Sequence, residues 1–326
     1  MKRQTLMLVL RLGLSGGLLY VLLTKIDSQW SEALPPLTAS TIGWLIGAFL
    51  LTLAGVVLSA MRWGAVLEAL GQHPKMRRLL SHYLAGQFMG NVLPSTIGGD
   101  ALRVSRQSRD SGEPPTSFAS VVLERLTGWL VLPVITLFGL AINPGLRELG
   151  RASAVAFGVA AGTLLLLVIV LALTARPGKG LEGKLEAHNE GWRRFTAATR
   201  FGLNRLLSDR HAAARVLATG FAYQLVMVVS ALMAARALGM PAGVGPTALL
   251  AFVPAVLIAQ VLPISISGLG VREALFALFL HPLGVPRGQA IALGLLLYLL
   301  NLLVSLLGAP AFAMGRKEQA AAPAGS

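Results

Sequence analysis

The feature that most limits what this chain can become is a set of long apolar runs. About six of them, 6–23, 41–60, 117–140, 152–174, 213–235 and 288–312, approach the roughly 20 residues a helix needs to cross a hydrocarbon core. Two further regions, 80–108 and 247–280, are apolar but interrupted by proline, glycine and charge. Only 13% of the residues are charged and 55% are hydrophobic. An ordinary soluble domain carries about 25% charged residues. The expected fold is an all-α polytopic membrane protein with about six full transmembrane helices and two re-entrant broken-helix hairpins. Residues 1–314 are expected to form a single transmembrane domain, followed by a flexible cytoplasmic tail at 315–326.

The formal charge is +14. In a soluble protein that would point to nucleic acid. Here the basic residues gather in the segments between apolar runs, as the positive-inside rule requires, and no nucleic-acid partner is expected. Lys2 and Arg3 place the N-terminus in the cytoplasm. Arg62, Lys75, Arg77 and Arg78 do the same for 61–79, and a run of arginines and lysines does so for the loop 176–211. Arg316 and Lys317 put the C-terminus on the same side. The basic start and apolar stretch at 6–23 look like a signal peptide without a cleavage site, so a retained first helix is expected. This topology closes if 80–108 enters and leaves from the cytoplasm and 247–280 from the outside. The alternative is that each hairpin spans fully as two short helices. Leu181, Leu185, Trp192, Phe195 and Leu206 stand near helical spacing among arginines. They read as a helix on the inner leaflet or as a solvated loop. Ala154, Gly158 and Gly162 form a small-residue stripe that predicts close helix packing.

The interrupted regions contain a repeat. "LPSTIGGDALR" (93–103) aligns with "LPISISGLGVR" (262–272) as L-P-x-[ST]-I-x-G-x-x-x-R. Thr96 matches Ser265, and an amide, Asn91 or Gln260, stands three residues before each proline. Entering from opposite faces, the two copies fit an inverted-topology repeat. Pro94, Gly98 and Gly99 in one copy, and Pro263, Gly268 and Gly270 in the other, break the helix. The freed backbone groups must then be satisfied by protein or water. A half-helix beginning near Gly99 or Gly268 turns its N–H groups to the break and favours an anion. Arg103 and Arg272 lie one turn further on. Arginine's planar fork suits phosphate, so the expected common ligand is a phosphate-bearing lipid headgroup. Arg103 also has a plainer reading as a charge at the membrane face beside Arg106 and Arg109. Asp100 reads as a partner or helix cap for Arg103, or as a proton-coupling acid, and Glu273 has the same alternatives beside Arg272. Glu124 and Arg125 interrupt another apolar run. Adjacent helical residues do not face each other, so different partners are expected: either both snorkel near the cytoplasmic face, or, the preferred reading, they form a site wall with Glu124 facing the arginines.

"NVLPSTIGGDALRVSR", "SFASVVLERLTGWL" and "LPISISGLGVREAL" together resemble the flippase-like transmembrane domain of lysylphosphatidylglycerol synthases and their stand-alone relatives. The resemblance covers about 6–314. It implies a bacterial or archaeal cytoplasmic-membrane protein that moves or handles lipids. The family's G-D-x-x-R pattern falls on Gly99, Asp100 and Arg103, its E-R pair on Glu124 and Arg125, and its G-x-G-x-x-E pattern on Gly268, Gly270 and Glu273. Members often carry an acid shortly after the E-R pair, where this chain has Thr127 and Gly128. The resemblance does not extend to a synthase domain, so aminoacyl-lipid synthesis is not expected of this sequence.

Two classes of function follow. The first is a flippase or scramblase for an anionic phospholipid or polyprenyl-phosphate-linked lipid, the headgroup held between the two hairpins. The second is a membrane enzyme or accessory subunit in lipid or cell-envelope glycolipid modification. His73, His82, His188, His211 and His281 show no catalytic spacing with acids or serines, there is no Walker A motif, and no cysteine is present. No catalytic residue, metal or cofactor is therefore expected. The expected partners are membrane lipids, with a homo-oligomer or a lipid-modifying enzyme as further partners.

Overall fold

The computed structural model of the chain describes residues 37–92, 96–174, 191–261 and 268–314. Regular structure within them is helical. The order is α1 Ala39–Ala69, α2 Met76–Val92, α3 Thr96–Ser111, α4 Pro114–Ile142, α5 Arg151–Thr174, α6 Gly191–Ser208, α7 Arg210–Ala237, α8 Pro246–Gln260, α9 Val271–Leu280 and α10 Arg287–Leu306. A short 3₁₀ turn at Pro144–Glu148 joins α4 to α5.

Among the described residues, α1, α4, α5, α7 and α10 are long and apolar enough to cross a membrane. They coincide with five of the expected runs; the run at 6–23 lies outside the described residues. Helix α1 has 31 residues, about 46 Å at 1.5 Å per residue. Its Ile42, Ile46 and Leu50 are exposed, as are Leu165, Leu166 and Val168 of α5. Large apolar side chains turned outward along a whole helix are stable only in an apolar solvent. The chain is a multi-pass membrane protein.

Two compact units divide the chain. The first takes Met1–Gly55, Trp129–Leu165 and Gln224–Asn301; the second takes Val56–Gly128, Leu166–Tyr223 and Leu302–Ser326. In the first unit, α8 and α9 form an antiparallel hairpin whose Phe252 and Phe279 rings stack at 4.9 Å. A methyl group at Gly139 would come 2.5 Å from the Ala251 backbone nitrogen, so α4 meets α8 almost backbone to backbone. Thr52 and Ser230 exchange a 3.0 Å hydrogen bond between α1 and α7.

In the second unit, α2 and α3 form another antiparallel hairpin. Gly90 lies near Gly99 towards its tip, Gly86 lies against Gly99 and Arg103, and His82 reaches Asp110 at the open end. Arg106 is buried in this unit. It donates to the carbonyls of Ala311 (3.0 Å) and Phe312 (3.2 Å), which ties the helical turn at 309–314 to α3.

Three expectations change. Helix α3 begins at Thr96 and α9 at Val271, not at Gly99 and Gly268. Arg103 therefore lies about two turns into its helix, while Arg272 is the second residue of its own. Among the described residues, nothing lies within 4 Å of where a Cβ would stand on Gly158 or Gly162. Among the same residues, the face of α5 that packs on protein is that of Ala152, Ala156 and Ala160, a small offset in register from the glycine stripe. Finally, α6 rests on protein rather than on lipid alone. Its Ala198, Leu203 and Leu206 are buried with Ala65, Leu70 and Leu123. Leu181 and Leu185 lie outside the described residues.

Candidate functional site

The second unit gathers a buried cluster of charges around one carboxylate. Glu124 on α4 is 1% exposed. Its Oε1 accepts from Arg62 on α1. Its Oε2 accepts from both Nη1 and Nη2 of Arg103 on α3, each at 3.2 Å. Arg62 and Arg103 are themselves buried. The guanidinium of Arg103 lies 4.4 Å from the Trp63 ring and 4.5 Å from the Tyr83 ring. That of Arg62 lies 5.5 Å from Tyr223. Aromatic faces stabilise a desolvated cation, and Trp63 is fixed by a 2.9 Å bond from its Nε1 to Ser120.

Backbone packing makes the room. A methyl at Gly99 would stand 2.3 Å from the Gly86 carbonyl oxygen, and one at Gly86 would stand 2.7 Å from Arg103 Cγ. The two glycines let α2 and α3 approach closely enough for Arg103 to lie along the crevice. Gly128 does the same for Arg62, whose Nη1 is 2.8 Å from where a methyl would be. Gly128 lies in the zone, Thr127 and Gly128, in which the family resemblance leads one to expect an acid. A glycine there leaves the space to a guanidinium.

Around this core lies a more accessible pair. Arg125, the neighbour of Glu124, points elsewhere and donates to Asp100 Oδ1 at 2.9 Å. Asp100 also meets Arg103 at 3.4 Å. It is not a helix cap, because α3 already begins at Thr96.

The first unit holds a smaller arrangement. Gly268 and Gly270 have φ of 75° and 86°, a left-handed backbone that glycine adopts without strain. A methyl at Gly268 would stand 2.6 Å from Gln260 Cβ. Arg272 donates from Nε (3.0 Å) and Nη2 (2.6 Å) to Glu273 Oε1, and Glu273 Oε2 accepts from the Gly270 N–H at 2.6 Å. Neighbours within a helix ordinarily point apart. These two meet because Glu273 folds back over the first turn of α9 to reach Gly270. Arg272 lies 5.1 Å from the Tyr298 ring, and both members of the pair are buried.

Of the residues singled out in the sequence, Arg103, Glu124, Asp100 and Arg125 come together in one unit, and Arg272, Glu273, Gln260, Gly268 and Gly270 in the other. Asn91 is half-buried near the end of α2. Pro94, Pro263 and Ser265 lie outside the described residues, as does the side chain of Thr96. The sequence reading missed Arg62, which it took for a cytoplasmic topology charge. The signal was the apolar pattern beyond it: Trp63, Val66, Leu67 and Leu70 are all buried, so the helix continues past the arginine and takes it inside. It also missed the pairing of His82 with Asp110 at 3.0 Å.

Comparison with known proteins agrees with this architecture. The family model described as the lysylphosphatidylglycerol synthase TM region matches residues 8–308. A stretch of 136 residues is 26% identical to UPF0104 membrane protein PH1989 of Pyrococcus horikoshii, covering 41% of this chain and 39% of that protein.

Proposed function

Because the chain belongs to the lysylphosphatidylglycerol synthase transmembrane-region family, we propose that it moves an anionic lipid between membrane leaflets. The substrate class is an anionic phospholipid or a lipid-linked phosphate, and the setting is a bacterial or archaeal cytoplasmic membrane with both termini inside. One observation carries this reading. Two buried arginines, Arg62 and Arg103, share one buried carboxylate, Glu124. An arginine at membrane depth costs at least ~2.5–3.5 kcal/mol unless it is paired or hydrated. A chain that keeps two of them on one acid retains positive charge that a headgroup phosphate would neutralise. The Arg272–Glu273 pair marks the second hairpin as the other element whose loss is to be tested.

The test is transport in proteoliposomes holding fluorescent phosphatidylglycerol, with a membrane-impermeant quencher added outside. The wild-type protein is expected to expose inner-leaflet label faster than protein-free vesicles do. Arg103→Ala is expected to lower that rate at least about tenfold, the consequence of losing a charged hydrogen-bonding partner. Arg272→Ala is run in parallel. Rates unchanged in both variants would sink the site assignment. Chemical conversion of the lipid would point to an enzyme instead.

A further inference from the structure

Five charges of the second unit form a ladder that runs inward. Side-chain exposure is 49% at Arg125 and 27% at Asp100, against 4% at Arg103, 2% at Glu124 and 7% at Arg62. Contacts link them in that order and the signs alternate, beginning and ending on a cation. The ladder therefore carries one more positive charge than negative. It also carries unmet donors. Arg62 Nε and Nη1 and Arg103 Nε are buried and have no hydrogen-bond partner among the described residues. A buried charged donor without an acceptor is costly. The surplus charge and the empty donors call for the same thing, a further anion rich in acceptor oxygens.

Resting on the transport reading above, we propose that Glu124 is a built-in competitor for the substrate phosphate, holding Arg62 and Arg103 until a phosphate-bearing anion displaces it. Both oxygens of the carboxylate are committed, one to each arginine, and they still leave three guanidinium nitrogens unmet. A phosphodiester has two charged oxygens, as the carboxylate has, but adds two ester oxygens in a tetrahedral array, and it suits the arginine fork equally well. Arg125 and Asp100, the exposed rungs, form the approach. Arg62 becomes a binding residue of the same rank as Arg103. Glu124 returns to the arginines as the anion leaves, and so keeps the site from trapping its ligand. A transporter needs such a device, because tight binding of the transported group slows its release.

Binding and turnover are expected to change in opposite directions. The full chain in nonionic detergent is titrated calorimetrically with a short-chain phosphatidylglycerol and, separately, with inorganic phosphate. Glu124→Gln is expected to bind the short-chain lipid about tenfold more tightly than wild type, and to move labelled lipid more slowly in vesicles. Arg62→Gln keeps the Arg103–Glu124 pair but removes the surplus charge, and its affinity is expected to fall about tenfold. Arg62→Lys is expected to recover part of it. Equal or weaker binding by Glu124→Gln overturns the proposal. So does an Arg62→Gln protein that melts earlier but binds as before, since a merely structural arginine would behave that way. Should Glu124→Gln not fold, the Arg62 variants decide alone by the same criterion. Equal tightening for inorganic phosphate would assign the site to a free anion and overturn the lipid version. The binding pattern without wild-type lipid movement would remove the transport reading and leave the anion site. Lipid movement with unaltered Glu124→Gln binding would do the reverse.

Discussion

Gly128 stands one turn beyond Glu124 on α4, and its missing side chain is what admits Arg62. Gly128→Ala is expected to push the Arg62 guanidinium off Glu124, at a cost of about 1–3 kcal/mol for overpacking a filled site. Thermal melting checks the cost. The pairing is checked by a double-mutant cycle, in which Gly128→Ala costs markedly less in an Arg62→Gln background. Additive effects would mean that the two residues do not share the space. At this scale the sequence was partly readable. The different partners of Glu124 and Arg125 followed from their adjacency on a helix, and both partners, Arg103 and Asp100, are observed. Arg62 was missed, because a basic residue after an apolar run looks the same whether it ends a helix at the membrane face or lies inside a longer one. Only the apolar pattern of the following turns, Trp63 to Leu70, separates the two, and their burial bears it out.

At the level of elements, the α2–α3 hairpin depends on glycine contacts. Gly99→Ala would place a methyl 2.3 Å from the Gly86 carbonyl oxygen. Backbone cannot swing aside as a flexible side chain can, so the helices must separate. The expected result is a fall in melting temperature together with weaker anion binding, because Arg103 lies in the same crevice. A wild-type melting curve would contradict the packing account. Helix α7 supplies a pH-dependent test outside the spans. Asp209 Oδ1 accepts from the backbone N–H groups of Ala212 (3.0 Å) and His211 (2.9 Å), an N-cap. The Ala212 bond, foremost, holds its carboxyl below the usual range. A depressed folded pKa stabilises above the unfolded value, roughly 3.9, and that stabilisation fades as pH falls through the folded value. Asp209→Ala is therefore expected to melt below wild type at pH 7, with the gap closing at acid pH. A gap independent of pH would assign the effect to something other than the cap. The five described helices long and apolar enough to span were legible as apolar runs. The start of α3, three residues earlier than the glycine suggested, was not, since a helix carries on through Gly98 and Gly99 wherever close packing rewards it. That Gly158 meets no described neighbour was equally hidden, because a small residue permits a neighbour without supplying one.

Over the whole molecule, a cysteine-free chain lends itself to single-cysteine labelling. Glu113→Cys and Asn143→Cys bracket α4 and are expected to react from opposite faces. The helices of the first hairpin have 17 and 16 residues, about 24–26 Å each, short of a core of roughly 30 Å. Ile97→Cys near the tip is therefore expected to resist labelling from the outside, and ready outside labelling would make the hairpin a full span. The central claim is that buried arginine, freed from its own carboxylate, carries an anionic headgroup. The most direct measurement is the transbilayer rate of labelled phosphatidylglycerol against labelled phosphatidylcholine in the same proteoliposomes. The account predicts that the wild-type protein moves the anionic lipid at least about tenfold faster, the worth of one charged hydrogen-bonded contact. Equal rates for the two lipids, or no movement above protein-free vesicles, would contradict it.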